Sequence, residues 1–146
     1  DADYSNDENY LLGIGASIGL PALVNLNARI ATKSLNFEYA TDIYSLSEDT
    51  LSQSEGVILG NQITIGLGSH DFSLNYITGF TEFYGIEAYP ALYEADNNIY
   101  EYWGLTIKKY NKYYFWEIGA NIGDEEFYGD EVQFYFQLGA MLSFQF

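Results

Sequence analysis

Residues 132–146 read VQFYFQLGAMLSFQF, and this stretch decides the fold. Its even positions are all apolar: Val132, Phe134, Phe136, Leu138, Ala140, Leu142, Phe144 and Phe146. Its odd positions are polar or small (Gln133, Tyr135, Gln137, Gly139, Ser143, Gln145), with Met141 the exception. Side chains alternate faces along a strand, so the pattern predicts a β-strand with one apolar and one polar face. A strand of this length crosses the hydrocarbon core of a bilayer when tilted.

The rest of the chain repeats the pattern. The alternation predicts seven further strands, over 11–19, 23–31, 34–44, 56–67, 72–79, 99–109 and 113–123. Their connections are sorted by size. Those at 32–33, 68–71 and 110–112 are tight. Of those interleaved with them, 20–22 is short, while 45–55, 80–98 and 124–131 are long and rich in Asp, Glu, Asn and Tyr. Short turns at one end and long loops at the other describe an up-and-down meander closed into a barrel. Both prolines, Pro21 and Pro90, fall outside the expected strands, as a sheet requires.

Composition narrows the class. Hydrophobic residues make up 48% of the chain and aromatics 18%, with no run long enough for a membrane helix. A barrel with an apolar outer face and a polar lumen reconciles these values. There is no cysteine, which rules out a disulfide scaffold or a cysteine-rich zinc site. The chain starts at Asp1, so the expectation is a mature protein whose signal peptide has been removed. Residues 1–9 form an acidic tail ahead of one barrel domain over 10–146. Aromatics near the strand ends (Tyr10, Tyr44, Phe80, Tyr100, Trp103, Tyr113, Phe115, Phe144, Phe146) fit a belt where acyl tails meet headgroups.

With its terminal aromatic residue, the last strand resembles the closing strand of bacterial outer-membrane barrels. The whole pattern is similar to the small barrels of the OmpA and OmpX type. That resemblance implies an eight-stranded antiparallel transmembrane β-barrel in the outer membrane, with the tail and tight turns in the periplasm. It implies lipid and the barrel-assembly machinery as partners, and it makes Phe134, Phe136, Leu142, Phe144 and Phe146 the assembly signal. It also implies a polar, plugged interior.

The face opposite the apolar one carries Gly, Ser, Asn, Thr and Gln, and four charges: Arg29, Glu38, Lys108 and Glu117. Two cations balance two anions near the tight turns. Buried charges persist only when paired, so these four are expected to form a salt-bridge network across the bore. Glycines on this face should make room for large neighbours such as Tyr135 and Arg29. A soluble lipocalin-like barrel is the alternative that turns the apolar face inward around a ligand.

Net charge is −16, from 21 acids and 5 bases. The bases Arg29, Lys33, Lys108, Lys109 and Lys112 all fall toward the tight turns, while the long loops hold only acids. Such a surface repels nucleic acid. It attracts divalent cations, for which Asp124, Glu125, Glu126, Asp130 and Glu131 are the densest oxygen cluster, without the spacing of a calcium loop. The single histidine, His70, sits in a tight turn away from the long loops, which leaves no His-Ser or His-Cys pair there. No phosphate-binding loop or His-containing metal cluster is present, and no cofactor is expected. The favoured role is therefore non-catalytic: a structural or interaction subunit that can dock on another barrel. A narrow pore for small cations or solutes is the runner-up.

Overall fold

In a computed structural model the described residues are 10–20, 24–46, 56–84, 99–124 and 131–145. Eight strands follow one another: β1 (Leu11–Leu20), β2 (Val24–Ala31), β3 (Leu35–Leu46), β4 (Gly56–Gly68), β5 (Phe72–Tyr84), β6 (Ile99–Tyr110), β7 (Tyr114–Gly123) and β8 (Gln133–Gln145). Each pairs antiparallel with its chain neighbours, and β8 pairs with β1, so the sheet closes into a barrel. No helix occurs among the described residues. Strand number, order and closure agree with the sequence reading.

The alternation explains why each segment is extended. Along β2 every second residue is buried, from Asn25 to Ala31, and those between are exposed. The same alternation runs through β1, β6 and β8. Five strands outrun their expected ends: β1, β4 and β6 by one residue, β3 by two and β5 by five. β5 continues through Thr81 and Glu82 to Tyr84, where the expected end was residue 79. Phe80, Thr81 and Glu82 pair there with Glu101, Tyr100 and Ile99, and cross-strand pairing outweighs the polar composition that suggested a loop. β6 runs one residue further, to Tyr110.

The ladders fix the width of the barrel. A path perpendicular to the strands from Phe72 crosses Lys109, Trp116, Leu138, Ile18 and Val24. Extending the β2–β3 ladder by one pleat carries it to Ile43, then to Leu59 and back to β5 at Glu82, ten residues beyond its start. Eight strands with that stagger, at a rise of ~3.3 Å and a spacing of ~4.8 Å, tilt by about 41° around a backbone cylinder of about 8 Å radius. Side chains alone fill such a bore.

Tight turns close one end. Thr32 N donates to Leu35 O at 2.8 Å, and Asn111 N to Tyr114 O at 2.7 Å. Gly68 adopts φ 150°, and a Cβ there would lie 2.2 Å from Phe72 O, so the β4–β5 turn requires glycine. At the other end, Asp124 N donates to Glu101 O at 3.0 Å.

Candidate functional site

The lumen near the tight turns holds the densest chemistry in the described residues. Register brings it together: Arg29 faces Glu38 across β2–β3, and Lys108 faces Glu117 across β6–β7. All four side chains are essentially closed to solvent.

Lys108 is the hub. Its Nζ donates to both oxygens of Glu38 at 2.7 Å and lies 3.3 Å from Glu117 Oε2. The same ammonium sits 4.0 Å above the Phe115 ring. Neutral donors complete the carboxylate shells. Asn27 Nδ2 donates to Glu38 Oε1 at 2.8 Å, and Tyr110 OH donates to Glu38 Oε2 at 2.6 Å. Thr106 Oγ1 donates to Glu117 Oε1, which also accepts from Asn75 Nδ2 at 3.4 Å.

Arg29 behaves differently from the expectation. It makes no carboxylate contact among the described residues. Its guanidinium stacks on the Tyr110 ring, 3.5 Å from the centroid. Nε donates to Asn36 Oδ1 at 3.1 Å, Nη2 donates to the same oxygen, and Nη2 also reaches His70 O at 2.7 Å. The network is thus a Glu38–Lys108–Glu117 triad, with Arg29 tied to the turns through an amide, a carbonyl and an aromatic face.

Several residues of this site were not anticipated. Tyr110 carries two of its contacts, although the sequence pattern places a turn at 110–112; β6 extends to include it. Its signal was parity: it lies two residues beyond Lys108, on the same face. Phe115 and Tyr100, expected in an interfacial belt, are turned inward and buried. Tyr110, Phe115 and Met141 form an apolar floor under the triad. Glycines make room for large side chains as expected, but the neighbours differ. A Cβ on Gly139 would meet the Phe115 ring at 2.4 Å, one on Gly13 would meet Met141 Sδ at 2.7 Å, and one on Gly79 would meet Tyr102 OH at 2.6 Å.

A second layer lies farther from the tight turns. Tyr102 OH donates to Gln62 Oε1 at 2.7 Å, and Gln62 Nε2 donates to Tyr135 OH at 2.8 Å. Ile77 packs with both tyrosines. Asn25 Nδ2 bonds Gln137 Oε1 at 3.2 Å, and Ser17 Oγ bonds Asn27 Oδ1 at 3.0 Å. Polar groups from all eight strands thereby interlock across the bore.

Outside the lumen, the β4–β5 turn has its own electrostatics. Ser69 Oγ donates to Asp71 Oδ1, and Lys109 Nζ lies 3.0 Å from Asp71 Oδ2. These two contacts hold the Asp71 carboxyl below its ordinary range. Burial, and then the charges of Arg29 and Lys33, push the His70 imidazole below its ordinary value.

Of the expected divalent-ion cluster, Asp124 and Glu131 are described and exposed, and Asp124 Oδ2 accepts a hydrogen bond from Glu101 N at 2.9 Å. Glu125, Glu126 and Asp130 lie outside the described residues, as does the tail 1–9. No described group of three acids, histidines or cysteines is arranged to hold a metal. Phe134, Leu142 and Phe144 face outward and are exposed, Phe136 is half-buried, and Phe146 lies outside the described residues.

No family model, no curated protein and no solved structure matches the chain.

Proposed function

We propose that this chain is a small bacterial outer-membrane barrel of the OmpA and OmpX type, acting as a non-catalytic structural or interaction subunit with a lumen plugged by side chains. One observation carries the reading: the sorting of polarity across the wall. Ile14, Ile18, Leu26, Leu67, Leu105, Phe134 and Leu142 point outward, each more than half exposed, while Arg29, Glu38, Lys108 and Glu117 point inward. Fully burying one such apolar side chain is worth about 1.5–3 kcal/mol. Leaving so many in water costs more than a domain of this size has in net stability. Lipid supplies the missing burial. A water-soluble ligand-binding barrel needs the opposite sorting, so this distribution weighs against it.

The lumen supports the non-conducting half of the proposal. The triad and the Gln62–Tyr102–Tyr135 layer stand one above the other across a bore of side-chain width. A narrow cation pathway is the second reading, favoured by buried polar atoms with no hydrogen-bond partner among the described residues, among them Asn121 Oδ1 and Nδ2, Ser73 Oγ and Arg29 Nη1. The acidic ends of the long loops, Asp124 and Glu131, suit divalent cations shared with lipid phosphates. The exposed C-terminal aromatics suit the assembly machinery.

Folding with and without detergent tests the proposal. The expected result is a β-sheet spectrum only in detergent or vesicles, with a gel mobility that shifts on heating. A monodisperse β-protein in plain buffer would overturn it.

A further inference from the structure

The outer wall is apolar at every position between its rims on β1, β2, β7 and β8, and on β6 between Glu101 and Lys109. It is not so on β3–β5. There Tyr39, Thr41, Asn61 and Thr78 all point outward, near the middle of their strands. Thr78 is the central residue of β5, and Asn61 lies one residue from the centre of β4. Register packs the four into one patch. Thr41 faces Asn61, and Ile63 is flanked by Tyr39 on one side and Thr78 on the other.

Resting on the membrane reading above, this places an amide and three hydroxyls at mid-depth in hydrocarbon. Polar groups there are costly unless they are hydrogen-bonded. Part of the patch is satisfied internally: Tyr39 OH donates to Asn61 Oδ1, and Thr41 Oγ1 donates to Gly60 O at 3.1 Å. The amide nitrogen of Asn61 and the hydroxyl of Thr78 bond no described residue. Lipid tails offer them nothing.

We propose that this β3–β5 face is the site at which two copies of the chain associate side by side within the membrane. The chemistry of the patch selects that occupant. Every free group in it can both donate and accept, or faces a neighbour that accepts, so a two-fold axis through Asn61 matches amide to amide and hydroxyl to hydroxyl. Exposed Phe37, Ile65, Leu74 and Tyr76 flank the patch on its tight-turn side and add apolar surface to the contact. Elsewhere between the rims of the described wall, the isolated indole N–H donors of Trp103 and Trp116 offer no paired acceptor, so this patch alone combines donors and acceptors.

The absence of native cysteine makes the test direct. Ile63→Cys places a thiol beside Asn61 without altering it, and Ile14→Cys places one on the outer face of β1. Both are folded into vesicles at high lipid dilution and oxidised. The expected result is a disulfide-linked dimer at least several-fold more abundant for Ile63→Cys than for Ile14→Cys, with the excess removed by adding Asn61→Leu. Equal yields from the two thiols would overturn the proposal, as would an excess that survives Asn61→Leu. Heat-dependent gel mobility is read on the same samples. If folding into vesicles fails, the membrane reading has failed; if folding is intact and the yields are equal, self-association alone has failed.

Discussion

Deleting the Lys108 ammonium strands two buried carboxylates among amides and hydroxyls. Breaking a buried pair from one side costs about 3–5 kcal/mol, because the remaining charge has no compensation. Lys108→Met should therefore destabilise the folded barrel by that order, read as a lowered urea midpoint in vesicles. Adding Glu38→Gln and Glu117→Gln removes the stranded charges and should recover much of the loss. Tyr110→Phe removes one hydrogen bond to Glu38 but keeps the ring beneath Arg29, so its cost should be smaller, about 1.5–3 kcal/mol for a bond to a charged group. The charged members of this site were legible in the sequence, because charge on a face opposite to Leu, Ile and Phe has only one place to go. The apolar members were less so. Met141 and Phe115 share the inward parity of their strands, but an apolar residue on that face looks like an exception to the alternation rather than part of a site, and only the fold shows that the two pack together with Tyr110.

At the level of elements, the β4–β5 turn is where backbone and titration meet. Gly68→Ala forces a side chain onto a left-handed φ and against Phe72 O, and should cost about 1–3 kcal/mol. The turn should also loosen in acid. Asp71 has its carboxyl held below the ordinary range by Ser69 and Lys109, so its contribution is present above the unfolded carboxylate value and is lost as pH falls through the folded one. His70 is held neutral by burial and by Arg29 and Lys33, so its contribution is likewise lost as pH falls below the ordinary histidine value of about 6.5. The protection of the amides of residues 69–72, taken relative to the intrinsic exchange rate at each pH, should fall in two stages on acidification, and His70→Gln should remove the upper stage while leaving the lower. The strand pattern itself was readable to within a residue or two wherever apolar and polar positions alternate strictly. It misjudged β5, whose far end reads Phe80-Thr81-Glu82, a loop by composition that is held extended by the facing residues of β6.

For the whole molecule, closure and sorting matter more than any pair. A ten-residue stagger gives a bore that its own side chains fill, so the intact barrel should carry no steady nanosiemens current in a planar bilayer. Combining Tyr110→Ala, Phe115→Ala and Lys108→Ala removes the floor and the hub together and should raise conductance above that of the parent barrel. Charge is sorted along the axis: all five bases lie toward the tight turns, and the described acids Glu82, Glu101, Asp124 and Glu131 stand at the opposite rim. On the proposed function, the outer wall meets lipid. The chain carries two tryptophans, Trp103 and Trp116, on outward positions of neighbouring strands, which makes them built-in probes of that wall. Fluorescence of the folded protein in vesicles of brominated phospholipid should be strongly quenched by the acyl-chain bromines and nearly untouched by acrylamide in the water. Strong acrylamide quenching with no effect of bromine would mean that the wall faces solvent, and would overturn the membrane proposal.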